Sequence, residues 1–389
     1  MDRNLTLEVL GEIMGWPIDG DKATDEYRWL TLMSKFKYDN YSGFQPGVRF
    51  IENLVYWLLQ FDKKDREAAY SFIRGKLVYI SSKEMLKLVS IFYPEYVEPF
   101  LVKKTAEKLS VRRHHVWVHE SAKKQLERLR RKTLFVGLSD GAKMDEFRRS
   151  NIGVISNEQV IVTPQVDDEK WRDLLKELRK DKENYSSEER FSSVFLVDDF
   201  TASGTSLIRY SKNEETGASR WKGKMEKFFS TIARVEEDLG EKVFEDDWEI
   251  HVHHHLATHQ AAKGDNRVEV RYRNAIASGG VGSWHSRINF TFGHILPINL
   301  PLTSGPPDQF LELAKSDKYY NQVLNENPHN KEGGVVDIRL GYAECALPLI
   351  LEHNTPNNSL PLIWAETPGS IENKIHEMRP LFFRRQRHT

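Results

Sequence analysis

The pattern of apolar and polar positions divides the chain into a helical front part and a strand-rich remainder. In 51–61 (IENLVYWLLQF) apolar residues recur at i, i+3, i+4 and i+7, which is typical of a core-facing helix. Beyond residue 130, short runs of β-branched and aromatic residues alternate with amphipathic stretches, as in an α/β protein. We therefore predict a helical region, 1–130, and an α/β domain, 131–389, with a mostly parallel sheet flanked by helices.

The stretch 194–208 (VFLVDDFTASGTSLI) is the most informative part of the pattern. Its four leading apolar residues predict a buried strand, which we expect to end at Asp198 and Asp199 with both carboxylates exposed. A small, hydroxyl-rich turn and a helix starting near Leu207 are expected next. The turn consists of Thr201, Ala202, Ser203, Gly204, Thr205 and Ser206. Strand ends and helix N-termini bind anions, so a sugar-phosphate site is predicted; the alternative is an ordinary strand–turn–helix with two solvated aspartates.

These residues resemble the phosphoribosyl diphosphate (PRPP) motif of type I phosphoribosyltransferases, in which an apolar strand leads into two acids and a small loop. The resemblance implies an enzyme acting at the anomeric carbon of a ribose 5-phosphate donor, either PRPP or a nucleotide. It further implies that loop 201–206 holds the 5′-phosphate. Asp198 and Asp199 would be catalytic and bind the ribose hydroxyls, directly or through Mg²⁺, the expected cofactor.

A second loop of the same family holds the departing pyrophosphate or base. The segment 133–138 (TLFVGL) predicts a strand, and the turn and helix after it match that loop by position. The turn contains Ser139, Asp140 and Gly141 as substrate-binding residues and Lys143 as the catalytic cation. The alternative is a routine strand–helix turn. In the family, a hood that closes over the ligand occurs near the polar segment 180–190.

A polar loop near the C-terminus, HNTPNNS at 353–359, lies between two apolar runs. We include its residues His353, Asn354 and Asn357 among the substrate-binding candidates, although such residues also form ordinary turns. With this loop, the resemblance extends to divergent phosphoribosyltransferase-like proteins of bacterial conflict systems, including anti-phage operons built around a retron reverse transcriptase.

That narrower resemblance implies a toxic effector of anti-phage defence. The alternative is a catalytically silent nucleotide-binding scaffold subunit of a retron-type ribonucleoprotein. The partners implied are PRPP or a nucleotide, together with a reverse transcriptase and its RNA or DNA, or another protein of the defence operon.

Charge and cysteine content change this picture little. The formal net charge of −1 indicates no particular class of partner, and the single cysteine, Cys345, is typical of a protein in the reducing cytoplasm. No apolar run is long enough for a membrane span and no signal-peptide pattern is present, so we expect a cytoplasmic protein. The stretch 103–132 is locally basic and predicts either a nucleic-acid contact or a solvated helix face.

The remaining segments carry weaker predictions. We predict strands at 153–163, 248–257 and 268–274 and a helix over 221–239. Alternation along 248–257 places three histidines on one strand face: His251, His253 and His255. A metal site on these residues is the less favoured interpretation, because residues at i and i+2 of a strand are spread roughly 7 Å apart.

Overall fold

The computed structural model describes residues 3–17, 20–42, 50–180, 188–212, 219–279, 285, 287–326 and 335–384. The helices are α1 (Arg3–Met14), α2 (Asp21–Phe36), α3 (Phe50–Leu59), α4 (Arg66–Gly75), α5 (Ser82–Phe92), α6 (Glu98–Leu109), α7 (Glu120–Arg131), α8 (Met144–Ser150), α9 (Asp168–Leu178), α10 (Lys224–Leu239), α11 (His259–Lys263), α12 (Val268–Ala277), α13 (Gln309–Lys315) and α14 (Pro361–Trp364). The strands are β1 (Val78–Ile80), β2 (Thr133–Gly137), β3 (Val160–Ile161), β4 (Phe191–Thr201), β5 (Arg209–Lys212), β6 (Ser219–Lys222), β7 (Phe244–Ala257), β8 (Ile288–Ile295) and β9 (Leu349–Leu351).

The chain forms two compact units, one of 1–84 with 297–389 and one of 85–296. The first contains α1–α4, α13, α14 and a parallel pair of short strands, β1 and β9. Its core is rich in aromatic side chains, such as Trp57, Phe61 and Phe310. The helical character expected for the N-terminal region is confirmed, with β1 as an added strand. The expected division of the chain at residue 130 stays a prediction.

The second unit is built on a five-stranded, wholly parallel sheet with the order β3-β2-β4-β7-β8. Both faces of β4 are buried: Val194 and Leu196 pack on one side, Phe195 and Val197 on the other. The first face carries α9, α10 and α12, and the second carries α5 to α8. A parallel sheet covered on both faces explains the uninterrupted apolar run of β4. The predicted α/β fold class, with its helical N-terminal region, is confirmed.

The order of the strands creates a switch point between β2 and β4. The chain leaves β2 towards β3 on one side and leaves β4 towards β7 on the other. In doubly wound sheets of this order, the crevice outside the carboxyl ends of the two central strands is where ligands bind. The residues that follow β2 and those at the end of β4 are therefore the candidates for a ligand site.

Several predicted elements differ from the structure. The segment 268–274 is helix α12 rather than a strand, because Val268, Tyr272 and Ala275 are buried at helical spacing. Of 153–163, only β3 is extended. The helix predicted over 221–239 begins at Lys224, and the residues just before it form strand β6. The strand predicted over 248–257 is present and begins earlier, at Phe244.

Candidate functional site

The two aspartates lie inside strand β4 rather than beyond its end. Pairing with β7 continues through Phe200↔Leu256 and Thr201↔Ala257, so the strand covers both acids. Asp198 is only 1% exposed, whereas Asp199 is partly exposed. The expectation that both carboxylates are exposed is therefore wrong for Asp198, because the apolar lead alone did not reveal the length of the β7 ladder.

Both oxygens of Asp198 are engaged by protein groups. The Ser139 hydroxyl, just after β2, donates to Oδ1 at 2.5 Å. The Lys224 ammonium, at the start of α10, forms an ion pair with Oδ2. His254 Nε2 is 3.9 Å from the same oxygen. The buried carboxylate thus joins the end of β2, the end of β4 and the start of α10.

Burial is the largest influence on Asp198 and raises the pKa of its carboxyl group. The Lys224 ammonium opposes that rise, and the negative charge of Asp199 adds to it. A buried carboxylate without a cation and hydrogen bonds would be strongly destabilising, so Lys224 and Ser139 are what allows an acid at this position.

Both oxygens of Asp198 are taken by protein groups, so this carboxylate offers no open oxygen to the expected Mg²⁺, which stays a prediction. The Ser139 hydroxyl already lies 2.5 Å from Oδ1 of Asp198 and 3.5 Å from Oδ1 of Asp199. Lys224 takes the other oxygen of Asp198. In the described part of the chain, no group of three or more His, Cys, Asp or Glu side chains is arranged to hold a metal ion.

The loop 201–206 has the features of an anion site. Gly204 has φ +77°, and a Cβ there would lie 2.7 Å from Cγ1 of Val268, so the turn requires glycine. Within the described residues, no acceptor meets the backbone N–H groups of Ser203, Gly204 and Ser206. Free N–H groups in a turn with a left-handed residue are a recurrent arrangement for binding phosphate.

The side chains of this loop divide into buried and accessible ones. Thr201, Ala202 and Ser203 are buried, and the Ser203 hydroxyl is bonded to that of Thr205 at 2.8 Å. Thr205 and Ser206 are more exposed. The helix expected from Leu207 is not there: the hairpin of β5 and β6 intervenes. Helix α10 still starts beside the loop, since the Lys224 N–H donates to the Ser206 carbonyl at 3.1 Å.

The turn after β2 is formed as predicted, with a short 3₁₀ segment at Asp140–Ala142 followed by α8. Asp140 is exposed and Gly141 partly exposed. Lys143 has φ +55°, an uncommon conformation for a residue with a side chain and one that recurs at functional sites. The structure therefore brings Ser139 of this turn to the acid pair, and the turn and loop 201–206 follow neighbouring strands.

Three further residues belong to this neighbourhood; the sequence analysis did not name Lys224 or Arg271, and it considered His255 only as a metal ligand. Lys224 lies in the helix predicted over 221–239, whose start was placed three residues too early. Arg271 has its Cδ and Nε 3.7 Å from the position of a Cβ at Gly204, and 268–274 was predicted to be a strand. His255 Nε2 donates to the Ala142 carbonyl at 3.3 Å and so ties the turn to β7. Only the sheet register shows that β7 lies beside β4.

The histidines of β7 form an aromatic layer rather than a metal site. His251 stacks on Phe195 with ring centroids 4.4 Å apart, and His253 stacks on Phe92 at 4.3 Å. The predicted alternation of faces is confirmed. Ile250, the neighbour of His251 in the strand, packs in the hydrophobic cluster on the other side of the sheet from Phe195 and Phe92. Burial lowers the pKa of His251 to about 3 and keeps its ring neutral.

The loop 353–359 belongs to the other compact unit, where its polar groups close its own turn. The Asn357 carbonyl accepts from the Tyr342 N–H at 2.7 Å, and the backbones of Asn354 and Leu351 bond to each other. His353 is 23% exposed beside Glu352. A role for His353, Asn354 and Asn357 in substrate binding stays a prediction. Residues 181–187, the centre of the expected hood, lie outside the described residues.

Fold and site together are those of a doubly wound α/β protein with a glycine-containing turn and an acid pair at its switch point. The family model PRTase-CE matches residues 54–384 of the chain. The protein therefore belongs to this phosphoribosyltransferase-type family, and that part of the sequence-based resemblance is confirmed. No curated protein and no solved structure matches the chain. Among the described residues, no helix has the length and apolar character needed to cross a bilayer.

Proposed function

We propose that the protein acts at the anomeric carbon of a ribose 5-phosphate donor, PRPP or a nucleotide. The observation that carries this proposal is the loop 201–206, whose free backbone N–H groups follow β4 directly after the acid pair. Membership of a phosphoribosyltransferase-type family supports the same activity.

In this proposal the loop binds the 5′-phosphate through its N–H groups and the hydroxyls of Thr205 and Ser206. Asp199, the more accessible acid, binds the ribose hydroxyls. The turn 139–143, with Lys143 as its cation, stabilises the leaving group. The bond from C1 to the leaving group breaks and its electron pair stays with that group, while an acceptor forms the new bond at C1 and releases its proton to the leaving group or to solvent. Water as acceptor gives nucleotide cleavage, which would suit a toxic effector of anti-phage defence.

The test is to incubate the protein with PRPP, nucleotides and nucleosides, each with Mg²⁺ and with EDTA, and to measure free base, pyrophosphate and ribose phosphate. We expect release or transfer by the wild type and loss of at least about a hundredfold in rate for Asp199→Asn, which removes the charged acceptor for the hydroxyls. Asp246→Asn, which changes an exposed acid near the start of β7, is the matched control. Wild-type protein that leaves every donor intact contradicts the proposal.

The second candidate function is a nucleic-acid-binding scaffold, and one surface favours it. Within the described chain, Lys108, Arg112, Arg113 and Lys123 are exposed and make no ion pair. Trp117, on the same connection between α6 and α7, is 48% exposed. Exposed cations together with an exposed aromatic ring suit single-stranded nucleic acid, whose bases can stack on the ring and whose phosphates can contact the cations. We call these five residues the basic surface. A retron reverse transcriptase and its RNA or DNA would be partners of this surface.

The basic surface is tested by fluorescence anisotropy with single-stranded DNA and RNA at several salt concentrations. We expect Arg112→Glu/Arg113→Glu to weaken binding at least about tenfold and to reduce its salt dependence. Lys227→Glu/Arg234→Glu, two exposed cations of α10, carries the same charge change elsewhere and should bind like the wild type. Equal losses in both double variants would mean a general charge effect and would refute a specific surface.

A further inference from the structure

The start of α10 is held against the loop 201–206 by backbone contacts. Gly223 has φ +124°, and a Cβ there would lie 2.3 Å from the Leu207 carbonyl oxygen. The next N–H groups of the chain, those of Lys224 and Met225, donate to Ser206 and Leu207 at 3.1 and 3.2 Å. The backbone of Lys224 is therefore fixed relative to the loop, and its side chain reaches Asp198 from a defined position.

The ammonium group of Lys224 binds the buried acid of the pair. It pairs with one oxygen of Asp198, while Ser139 takes the other and also lies 3.5 Å from Oδ1 of Asp199. Asp198 is 1% exposed and Lys224 is 25% exposed, so the pair lies at the inner wall of the site. The two acids of the pair therefore have different surroundings, and only Asp199 is partly exposed.

We propose that Lys224 is the permanent cation of this site: it holds Asp198 as a positioning residue that fixes Ser139, and it lets Asp199 bind a ribose 5-phosphate group without a divalent metal. This inference rests on the proposed function and adds to it. The ligand chemistry is a ribose 5-phosphate group, whether free, in a nucleoside 5′-monophosphate or in PRPP. The 5′-phosphate is held by the N–H groups of loop 201–206 and not by an ion.

The first experiment measures the affinity for ribose 5-phosphate and for a nucleoside 5′-monophosphate by calorimetry, in EDTA and in Mg²⁺. We expect the wild-type affinity to differ by less than about twofold between the two conditions, because the cation is part of the chain. The Lys224→Gln variant should bind at least about tenfold more weakly than the wild type in EDTA. Mg²⁺ should restore part of its affinity, since Asp198 is then open to the ion. Lys224→Arg, which keeps the charge, should restore metal-independent binding.

Lys227→Gln is the matched control, because Lys227 is an exposed lysine one turn further along α10. It should bind like the wild type. An affinity of the wild type that rises tenfold or more with Mg²⁺ overturns the inference and leaves the proposed function standing. PRPP is measured in the same way, and tight binding of PRPP in Mg²⁺ alone, with no binding of the monophosphates, also overturns it. No binding of any of these compounds refutes the proposed function and the inference together.

The second experiment needs no ligand. In a thermal-unfolding cycle, Lys224→Met should lower the melting temperature by several degrees, because it leaves a buried carboxylate without its cation. Asp198→Asn in that background should recover most of the loss, whereas Asp199→Asn should not. If Asp198→Asn and Asp199→Asn changed the melting temperature of Lys224→Met equally and additively, Lys224 would not be paired specifically with Asp198. That result would overturn the roles assigned to the two acids.

Discussion

The loops 201–206 and 353–359 look alike in sequence, and the structure gives their hydroxyl side chains different surroundings. Both are rich in hydroxyl and amide side chains and both follow a buried strand. In the first, the N–H groups of Ser203, Gly204 and Ser206 have no acceptor among the described residues. These donors are available to a ligand.

The second loop uses its polar groups to hold its own fold. The Ser359 hydroxyl is fully buried and donates to the Leu349 carbonyl at 2.6 Å. The Thr355 hydroxyl, also buried, bonds to that of Tyr41 at 2.9 Å. The comparison teaches that two loops of similar composition can differ in their side chains: the hydroxyls of Ser359 and Thr355 are committed to buried contacts, whereas those of Thr205 and Ser206 are more exposed.

The largest expected effect comes from filling the space at Gly204 in loop 201–206. Gly204→Val places a branched side chain at φ +77°, within contact of Val268, and should reduce binding of a ribose 5-phosphate compound by at least about a hundredfold. Calorimetry measures it. Gly240→Ala, at φ +69° with open space around the Cβ, is the control and should cost only about 1 kcal/mol of stability. Unchanged binding in Gly204→Val would remove the loop from the site.

Lowering the pH should destabilise the compact unit that contains loop 201–206. Burial lowers the pKa of His251 and His254 to about 3 and that of His255 to about 4, all from 6.5. His253 is also shifted well below 6.5. Between about pH 6.5 and pH 4 the unfolded chain therefore binds up to about four more protons than the folded one, so stability falls as the pH falls.

The measurement is hydrogen exchange at a series of pH values. Protection in β7 should decrease on acidification before protection in β9, and ligand binding should decrease with it. His251→Phe keeps an aromatic ring against Phe195 without a titrating group, and should make the free energy of unfolding less dependent on pH. A free energy of unfolding that is constant between pH 7 and pH 4 would contradict the prediction.

A smaller effect is expected from the second loop. Ser359→Ala leaves the Leu349 carbonyl without its buried donor and should reduce the free energy of unfolding by about 1–3 kcal/mol. Chemical denaturation measures this loss, and calorimetry should show unchanged ligand affinity. The opposite result, weaker binding at full stability, would assign loop 353–359 to the site and remove the difference between the two loops.

The smallest effect is expected from one side chain in each compact unit. The two variants are Asn357→Ala and Asp246→Asn. Each should alter ligand affinity by less than about threefold and stability by less than about 0.5 kcal/mol, because Asn357 bonds to Tyr342 through its backbone carbonyl and Asp246 is exposed near the start of β7. A tenfold loss of affinity in either variant would identify a ligand contact there.

Strong local patterns predicted much of the second unit correctly. The apolar run of β4, the turn after β2 and the alternation of histidines in β7 all follow from periodicity and turn chemistry. These features depend on residues close in sequence, which is why one sequence is enough to predict them.

Predictions failed where distant partners decide the outcome. The segment 268–274 alternates like a strand, yet Val268 and Tyr272 bury against the sheet as one helix face. Asp198 was expected at the surface, and the extended ladder with β7 buries it. Intrinsic preference is a weak guide when tertiary burial contributes more free energy than local propensity.

By itself, the sequence determined the fold class, the buried strand that leads into the acid pair and the small-residue loop after it. Each follows from short-range periodicity and from the steric freedom of glycine at Gly204. Only the tertiary structure decided which acid is accessible. That choice depends on Lys224 and Ser139, which come from different strand–helix connections and meet Asp198 through the sheet order. A carboxylate is kept buried only by partners that folding brings to it.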